Sequence, residues 1–394
     1  MNWIRQTAVV TLMVLRTIPQ RLGWSLAAAF GVGLVVAVMV AVFSIAAGFR
    51  ATLTRTGSEG TALVLRSGTE SEMSSNLTGE DVRVIVDKPG IRRGPQGPIA
   101  SAEMYVIVDL PKRSTGTDAN VPLRGVQPSV FEVRDYVRMV EGRPFEPGRN
   151  EIVAGVGAAR EFAVDVGQTL RWGKSDWRVV GLFSSEGTLA DSELWCDVRV
   201  LQPAYHRENN FQSVYAKLES EEAFGDFKDS LTTDKRLSVK VIRENEYYAS
   251  QSEQLDGVIT YLGGIVTALM AIGAIFGAIN TMYSAVASRT REIATLRALG
   301  FGSTPVVTSV LVESLLLALV GGLAGGIGAY LALNGYRTAT LNWQSFSQVV
   351  FALEVTPMHL VTGLLVSLVM GLLGGLLPAI RAARVPVAVA LREL

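Results

Sequence analysis

Histidine and cysteine are nearly missing from this chain: 394 residues hold Cys196 alone and only His206 and His359. One cysteine excludes an intrachain disulfide framework. Two histidines far apart in sequence argue against a His-based metal site. Net charge is missing too. Lys plus Arg number 36 and Asp plus Glu 36, so no global field recruits nucleic acid. A phosphate-binding loop is also lacking. Gly173-Lys174-Ser175 ends like one, but the glycine required five residues earlier is Gln168, and Gly167 is one place too early. A strand-like pattern follows instead of a helix, so these residues read as a β-turn and the chain as no ATPase. No G-x-S-x-G elbow occurs. His206 stands beside Arg207 and Glu208 in a polar stretch and reads as a surface residue. No close pair of acids is apparent in an apolar setting. No catalytic residue, cofactor or metal ligand is therefore expected of this chain.

Charge is also absent from four long stretches. Residues 22–49, 257–288 and 355–380 contain no Asp, Glu, Lys or Arg, and residues 298–336 contain only Glu313. A bilayer core ~30 Å thick needs about 20 apolar residues in a helix, so each run is long enough to span. About 200 polar residues separate the first run from the second. The expected architecture is α-helical and membrane-spanning, with four transmembrane helices and a large inserted α+β extracytoplasmic domain of two subdomains. The expected spans are 22–49, 257–288, 305–336 and 355–380.

Basic residues orient the spans. Arg5, Arg16 and Arg21 precede the first; Arg289, Arg291 and Arg297 lie between the second and third; Arg381, Arg384 and Arg392 follow the fourth. Lys and Arg accumulate in cytoplasmic loops. Both termini and the 289–304 segment are thus expected in the cytoplasm, and the insert 50–256 and a short loop 337–354 outside. The Ser44-Ile45-Ala46 stretch faintly resembles a cleavage site, but the first run is too long for a signal h-region, so a retained anchor is expected. Residues 1–21 suit either a helix lying in the membrane interface or a cytoplasmic extension of the first span. The tail 381–394 is expected in the cytoplasm.

The insert reads as two βαβ-like halves around a middle segment. Residues 62–66 and 102–110 read as strands, with a helix over 80–86 capped by Thr78. Residues 213–218, 221–231 and 237–243 repeat strand, helix, strand. The middle, about 128–212, is rich in short strands and Gly turns and is expected to be a β-rich inserted subdomain. The Gly/Pro-rich stretches 88–98 and 111–122 read as loops.

Within the spans, Glu313 is expected to form an intramembrane ion pair with an Arg of the 289–297 segment. Gly321, Gly322, Gly325 and Gly326 in the third span, and Gly371 and Gly375 in the fourth, have the small-residue spacing that lets helices approach closely in lipid. Residues 289–304 form the sharpest motif. Ile293, Leu296 and Leu299 share one helical face, with Arg289, Arg291, Glu292 and Arg297 elsewhere on the helix and Gly300 placed to end it. Such a helix suits docking to a cytoplasmic partner.

The stretch Arg289-Thr-Arg-Glu-Ile-Ala-Thr-Leu-Arg-Ala-Leu-Gly300 resembles the signature of the FtsX/MacB-type ABC transporter permeases. The tail Leu377-Pro-Ala-Ile-Arg-Ala-Ala-Arg-Val-Pro-Val-Ala-Val-Ala-Leu391 resembles that family's closing motif. Asn150-Glu-Ile-Val-Ala, Val166-Gly-Gln-Thr-Leu and Trp177-Arg-Val-Val-Gly181 are similar to its extracytoplasmic domain. The resemblance implies a homodimer in a bacterial inner membrane, with a MacB-like periplasmic domain outside. It implies a cytoplasmic ABC ATPase docking on 289–300, with ATP and Mg bound in that partner. About 20 residues precede the first span, so the ATPase is expected to be a separate polypeptide. The cargo class implied is a lipid, lipoprotein, peptide or drug, with a periplasmic adaptor as an additional partner and membrane lipids around the spans. The alternative is an FtsX-like signalling subunit that activates a cell-wall hydrolase; an insert of about 200 residues favours transport.

Overall fold

A computed structural model describes residues 3–17, 22–172, 175–287, 290–342 and 347–384. The helices are α1 (Trp3–Thr17), α2 (Leu22–Arg55), α3 (Gly79–Val86), α4 (Val130–Val133), α5 (Val156–Phe162), α6 (Val198–Ala204), α7 (Ala223–Thr232), α8 (Glu244–Ala287), α9 (Thr290–Ala298), α10 (Ser303–Leu333) and α11 (Pro357–Arg384). The strands are β1 (Thr61–Arg66), β2 (Leu77–Thr78), β3 (Arg93–Gly94), β4 (Gly97–Pro98), β5 (Ala100–Pro111), β6 (Asp118–Val126), β7 (Arg138–Gly142), β8 (Glu151–Gly155), β9 (Thr169–Trp172), β10 (Ser175–Ser184), β11 (Leu194–Asp197), β12 (Asn210–Phe211), β13 (Ser213–Lys217), β14 (Val239–Arg243), β15 (Arg337–Asn342) and β16 (Ser347–Ala352). The chain divides into two compact units. Met1–Ala47, Asp256–Tyr336 and Leu353–Leu394 form one; Gly48–Leu255 and Arg337–Ala352 form the other.

The first unit is helical. Ser25–Arg55, Gly257–Ala287, Ser303–Leu333 and Pro357–Arg384 are each long and apolar enough to cross a membrane. Close backbone approach sets their packing. A Cβ on Gly321 or Gly325 of α10 would collide with the backbone of Ala29 or Gly33 of α2. On another face of α10, Gly322 faces Ser367 of α11, and Gly371 of α11 returns the fit against Ala318 and Ser314. Gly326 lies near Leu360, and Gly375 faces the Ser314 side chain. Without hydrophobic driving force between helices in lipid, this backbone proximity and its dispersion contacts hold the bundle. α1 is a separate helix that packs on α10, with Val10 buried and Val9, Leu12 and Met13 exposed. Ser44 sits mid-helix in α2, fully buried, its hydroxyl donating to the Ala41 carbonyl at 2.8 Å. The side chains of Trp3 and Arg5, and residue Arg21, lie outside the described residues.

The second unit is built on one ten-stranded sheet, in the order β14-β1-β13-β5-β6-β11-β8-β10-β7, with β9 on β10. β1 and β5 run alongside β13 and antiparallel to it, and β13 and β14 flank β1 the same way. Two βαβ units thus interleave: β1-α3-β5 and β13-α7-β14. Their core holds Val64, Ile85, Ala102, Val214, Phe227, Leu231 and Val241. A reciprocal capping box starts α3: Thr78 accepts from the Asp81 amide, and Asp81 accepts from the Thr78 amide.

Three sequence expectations are corrected here. The inserted subdomain begins near residue 104 rather than 128. β5 pairs with β13 through Ala100–Glu103 and with β6 from Met104 onward, so one long strand belongs to both subdomains. Met104, Val106 and Val108 already lie in the β-rich core around Ile152, Trp177 and Leu194. Half of the expected loop 111–122 is strand; residues 112–117 connect β5 to β6, and Pro122 pairs with Ile107 inside β6. The expected loop 337–354 is a β-hairpin, β15 against β16. Ser347, Val349 and Phe351 alternate inward, and Phe351 meets Phe49 edge-on with centroids 5.7 Å apart. The Ser192 hydroxyl accepts from the Val350 amide at 2.9 Å, so the hairpin is part of this unit. The turn at Gly173-Lys174 lies outside the described residues.

Candidate functional site

α9 carries the residues the sequence nominated for docking. Its C-terminus closes as a Schellman motif: Gly300 is left-handed (φ 92), its amide donates to Arg297 O at 3.1 Å, and the Phe301 amide donates to Leu296 O at 3.1 Å. Pro305 then lies in the first turn of α10. The helix is not free. Ile293 is buried with Val286, Val306, Val310, Ala379 and Ala382. Arg297 reaches across to the end of α11 and donates to the Ala383 carbonyl at 2.9 Å, and Arg381 of α11 stacks 5.3 Å over the Tyr283 ring of α8.

This corrects the expected apolar docking face. Ile293 and Ala294 face the chain's own helices, and Leu296 is half-buried. Leu299 is 73% exposed, and Arg291, Glu292, Thr295 and Gly300 are exposed around it. An apolar stripe between two spans is covered first by those spans; what remains outward is Leu299 in a polar setting. Arg289 lies outside the described residues, as do residues 385–394 of the closing motif. Glu313 is buried on the packed side of α10 beside Ser309 and Ser314, and it makes a polar contact.

A second constellation was missed from sequence. Buried acids do cluster, contrary to the expectation. Arg124 of β6 donates from Nε and Nη2 to Glu193 (3.0 and 2.8 Å), from Nη1 and Nη2 to Glu72 (2.8 and 3.1 Å), and from Nη1 to Glu103 (3.0 Å). Arg134, just after α4, forks onto both oxygens of Glu103 at 2.7 and 3.0 Å. Glu244, the first residue of α8, stands 3.6 Å from Arg134 Nε. Ser213 Oγ donates to Glu72, and Trp195 Nε1 to Glu193, each at 2.6 Å. The guanidinium of Arg134 lies 4.1 Å over the Tyr215 ring, and that of Arg124 lies 5.0 Å over Tyr105. All six charged side chains are buried.

Burial raises the Glu72 carboxyl, but Arg124 and the Ser213 hydroxyl pull it further the other way, and the net shift is downward. Burial pushes the Cys196 thiol well up, so it is a core residue and not a nucleophile. A cavity of about 20 Å³, lined by Glu72, Tyr105, Arg124, Tyr247, Tyr248 and Gln251 among others, has room for about one water beside the network. The described residues show no group of three or more His, Cys, Asp or Glu placed to hold a metal ion.

Four membrane-length helices with a large α/β domain inserted after the first define a multi-pass membrane protein. A MacB-like periplasmic core domain matches residues 25–234, and an FtsX-like permease C-terminal domain matches residues 264–387. The chain belongs to the FtsX/MacB-type ABC transporter permeases. Permeases of this family are generally non-catalytic and imply an ATPase partner. The uncharacterized ABC transporter permease YknZ of Bacillus subtilis (strain 168) is 33% identical over 111 residues, 28% of this chain and 26% of that protein. The match therefore spans about a quarter of that curated relative's length. The periplasmic region of MacB from Actinobacillus actinomycetemcomitans aligns with 52% of this chain and 94% of its own, at TM-score 0.37 and 14% identity. The YknZ extracellular domain from Gram-positive bacteria aligns with 46% of this chain and 100% of its own, at TM-score 0.35 and 17% identity.

Proposed function

We propose that this chain is the transmembrane subunit of an ABC complex in a bacterial inner membrane. A separate ATPase hydrolyses ATP in the cytoplasm, and the chain turns that cycle into movement of its inserted domain outside. The work done is export or extraction of a lipid, lipoprotein, peptide or drug. The observation that carries this is α9. Its inner face is locked to α10 and α11 through Ile293 and Arg297, while Arg291, Glu292, Thr295 and Leu299 stay exposed. A helix held this firmly passes a push on its outer face to the spans. The test is reconstitution in nanodiscs. The chain alone should turn over no ATP above background, and adding its ATPase should give turnover dependent on this chain. Robust turnover by the chain alone would refute the assignment.

A second copy is part of the proposal. The span of α8 is only 11% buried within the chain, against 39%, 44% and 33% for the others. Gly273 and Gly277, four apart, have open space where a Cβ would stand. That face suits a partner helix at close range, and the mass of the reconstituted particle should count two chains; a single chain would remove the dimer.

The basic segments support an orientation with α9 in the cytoplasm and the inserted domain outside. Ser114 is the residue to test, because it is exposed in the turn 112–117 and Cys196 is buried. Neighbouring Gly116 has φ 68, where a side chain would be strained. Ser114→Cys should react with an impermeant thiol reagent in intact spheroplasts. Labelling only after lysis would reverse the orientation.

A further inference from the structure

We propose that Glu244 is a proton-binding site of the inserted domain, and that its occupancy decides how firmly the first turn of α8 sits against the 57–58 turn. The step is a plain exchange: the carboxylate takes a proton from solvent to become a carboxylic acid, and returns it to solvent.

Donor counting points to this residue. The cluster sets four carboxylates, Glu72, Glu103, Glu193 and Glu244, against two guanidiniums. Arg124 has five N–H donors, and all five are directed at Glu72, Glu103 and Glu193. Arg134 spends its fork on Glu103. Glu72, Glu103 and Glu193 therefore accept three or more hydrogen bonds each. Glu244 accepts one, from the Ser58 amide to Oε2 at 3.2 Å. Its Oε1 has no hydrogen-bond partner among the described residues, and Arg134 Nε is 3.6 Å away, an ion-pair distance without a hydrogen bond. Glu244 is fully buried. A buried carboxylate short of donors is the one whose charge is hardest to keep, and a proton removes the charge.

The groups around it are few. Arg134 follows α4, and the Tyr136 phenol lies two residues further on; Tyr136 Oη, like Glu244 Oε1, is buried without a hydrogen-bond partner among the described residues. β5 brings Glu103, and β6 brings Arg124. Glu72 and Glu193 lie beyond Arg124. The 57–58 turn brings only backbone, and it packs on the Glu244 side chain at Gly57. Burial pushes the Glu244 carboxyl up to about 7; Arg134 and the Ser58 amide pull it down, and Glu103 adds to the rise.

The sign follows from that rise. A carboxyl raised above its unfolded value stabilises fully below the ordinary carboxylate range, and the stabilisation is lost as pH rises through about 7. Glu72, which is lowered, acts the other way: its contribution is present above the ordinary carboxylate range and fails only in acid. Glu72 therefore adds nothing to a change in the neutral range.

The experiment uses the full chain in nanodiscs, titrated from about pH 5.5 to about pH 8.5, a window above the ordinary carboxylate range. Difference infrared spectra should show the C=O stretch of one protonated carboxyl that disappears as pH rises through the neutral range. Glu244→Gln should lack that band. Hydrogen exchange over residues 57–61 and 244–251, corrected for intrinsic rates, should accelerate at least about tenfold across the window in the wild-type chain and stay protected in Glu244→Gln. No titrating carboxyl in the wild-type spectra would overturn the proposal without any variant being needed. An unchanged band in a folded Glu244→Gln protein would overturn it as well.

Discussion

Arg124→Met should unfold the inserted domain, not merely loosen it. Arg124 is 1% exposed, and its side chain is the hub on which Glu72, Glu103 and Glu193 converge. Met matches its length and apolar stem but supplies no donor. Glu72 and Glu193 would then lie buried with their main cationic partner gone. Removing one partner of a buried ion pair typically costs about 3–5 kcal/mol, and two carboxylates lose theirs here. Whole domains are stable by only about 5–15 kcal/mol. Limited proteolysis and near-UV circular dichroism of the full chain should show the inserted domain lost at temperatures where wild type is intact. Arg124→Lys should rescue little, because an ammonium has three donors and no fork. A domain melting within a few degrees of wild type in Arg124→Met would mean the network contributes almost nothing to stability.

The same cluster shows what sequence could and could not give away. Its members run from residue 72 to residue 244, and each looks in sequence like an ordinary surface charge. The available signal was local: Glu103 interrupts the apolar run of β5, and Arg124 that of β6. Neither says which charge it meets, because the meeting is made by a sheet that closes over a long separation in sequence. Where the physics is local, the reading held. The membrane runs need only length and missing charge. The Thr78 cap and the Gly300 stop need only a few neighbouring residues.

The long strand β5 misled because its two halves alternate alike, though they pair with different strands. The hairpin β15–β16 was hidden because six residues a side, with no obvious turn glycine, resemble a loop. On α9 the pattern showed an apolar stripe but not its cover. A stripe states that something is buried; only packing states against what.

That distinction separates two substitutions on α9 that sequence alone would treat alike. Ile293→Asp places a carboxylate among Val286, Val306, Val310, Ala379 and Ala382. Burying an unpaired charge there costs several kcal/mol, so the spans themselves should pack poorly and the protein should purify badly. Leu299→Asp leaves that cluster untouched, because Leu299 is 73% exposed. The chain should insert and pack as wild type does. If the ATPase covers this face, burial of Leu299 contributes about 1.5–3 kcal/mol to the contact. Each ~1.4 kcal/mol is tenfold in affinity. Leu299→Asp should therefore lower ATPase co-purification by at least about tenfold, and with it the turnover the complex supports. A well-folded Leu299→Asp protein that binds its ATPase and stimulates it as wild type does would show that the outer face of α9 only rests on lipid headgroups. The charged neighbours would not restore the docking role in that case, since an apolar contact that costs nothing to remove is not at the centre of an interface.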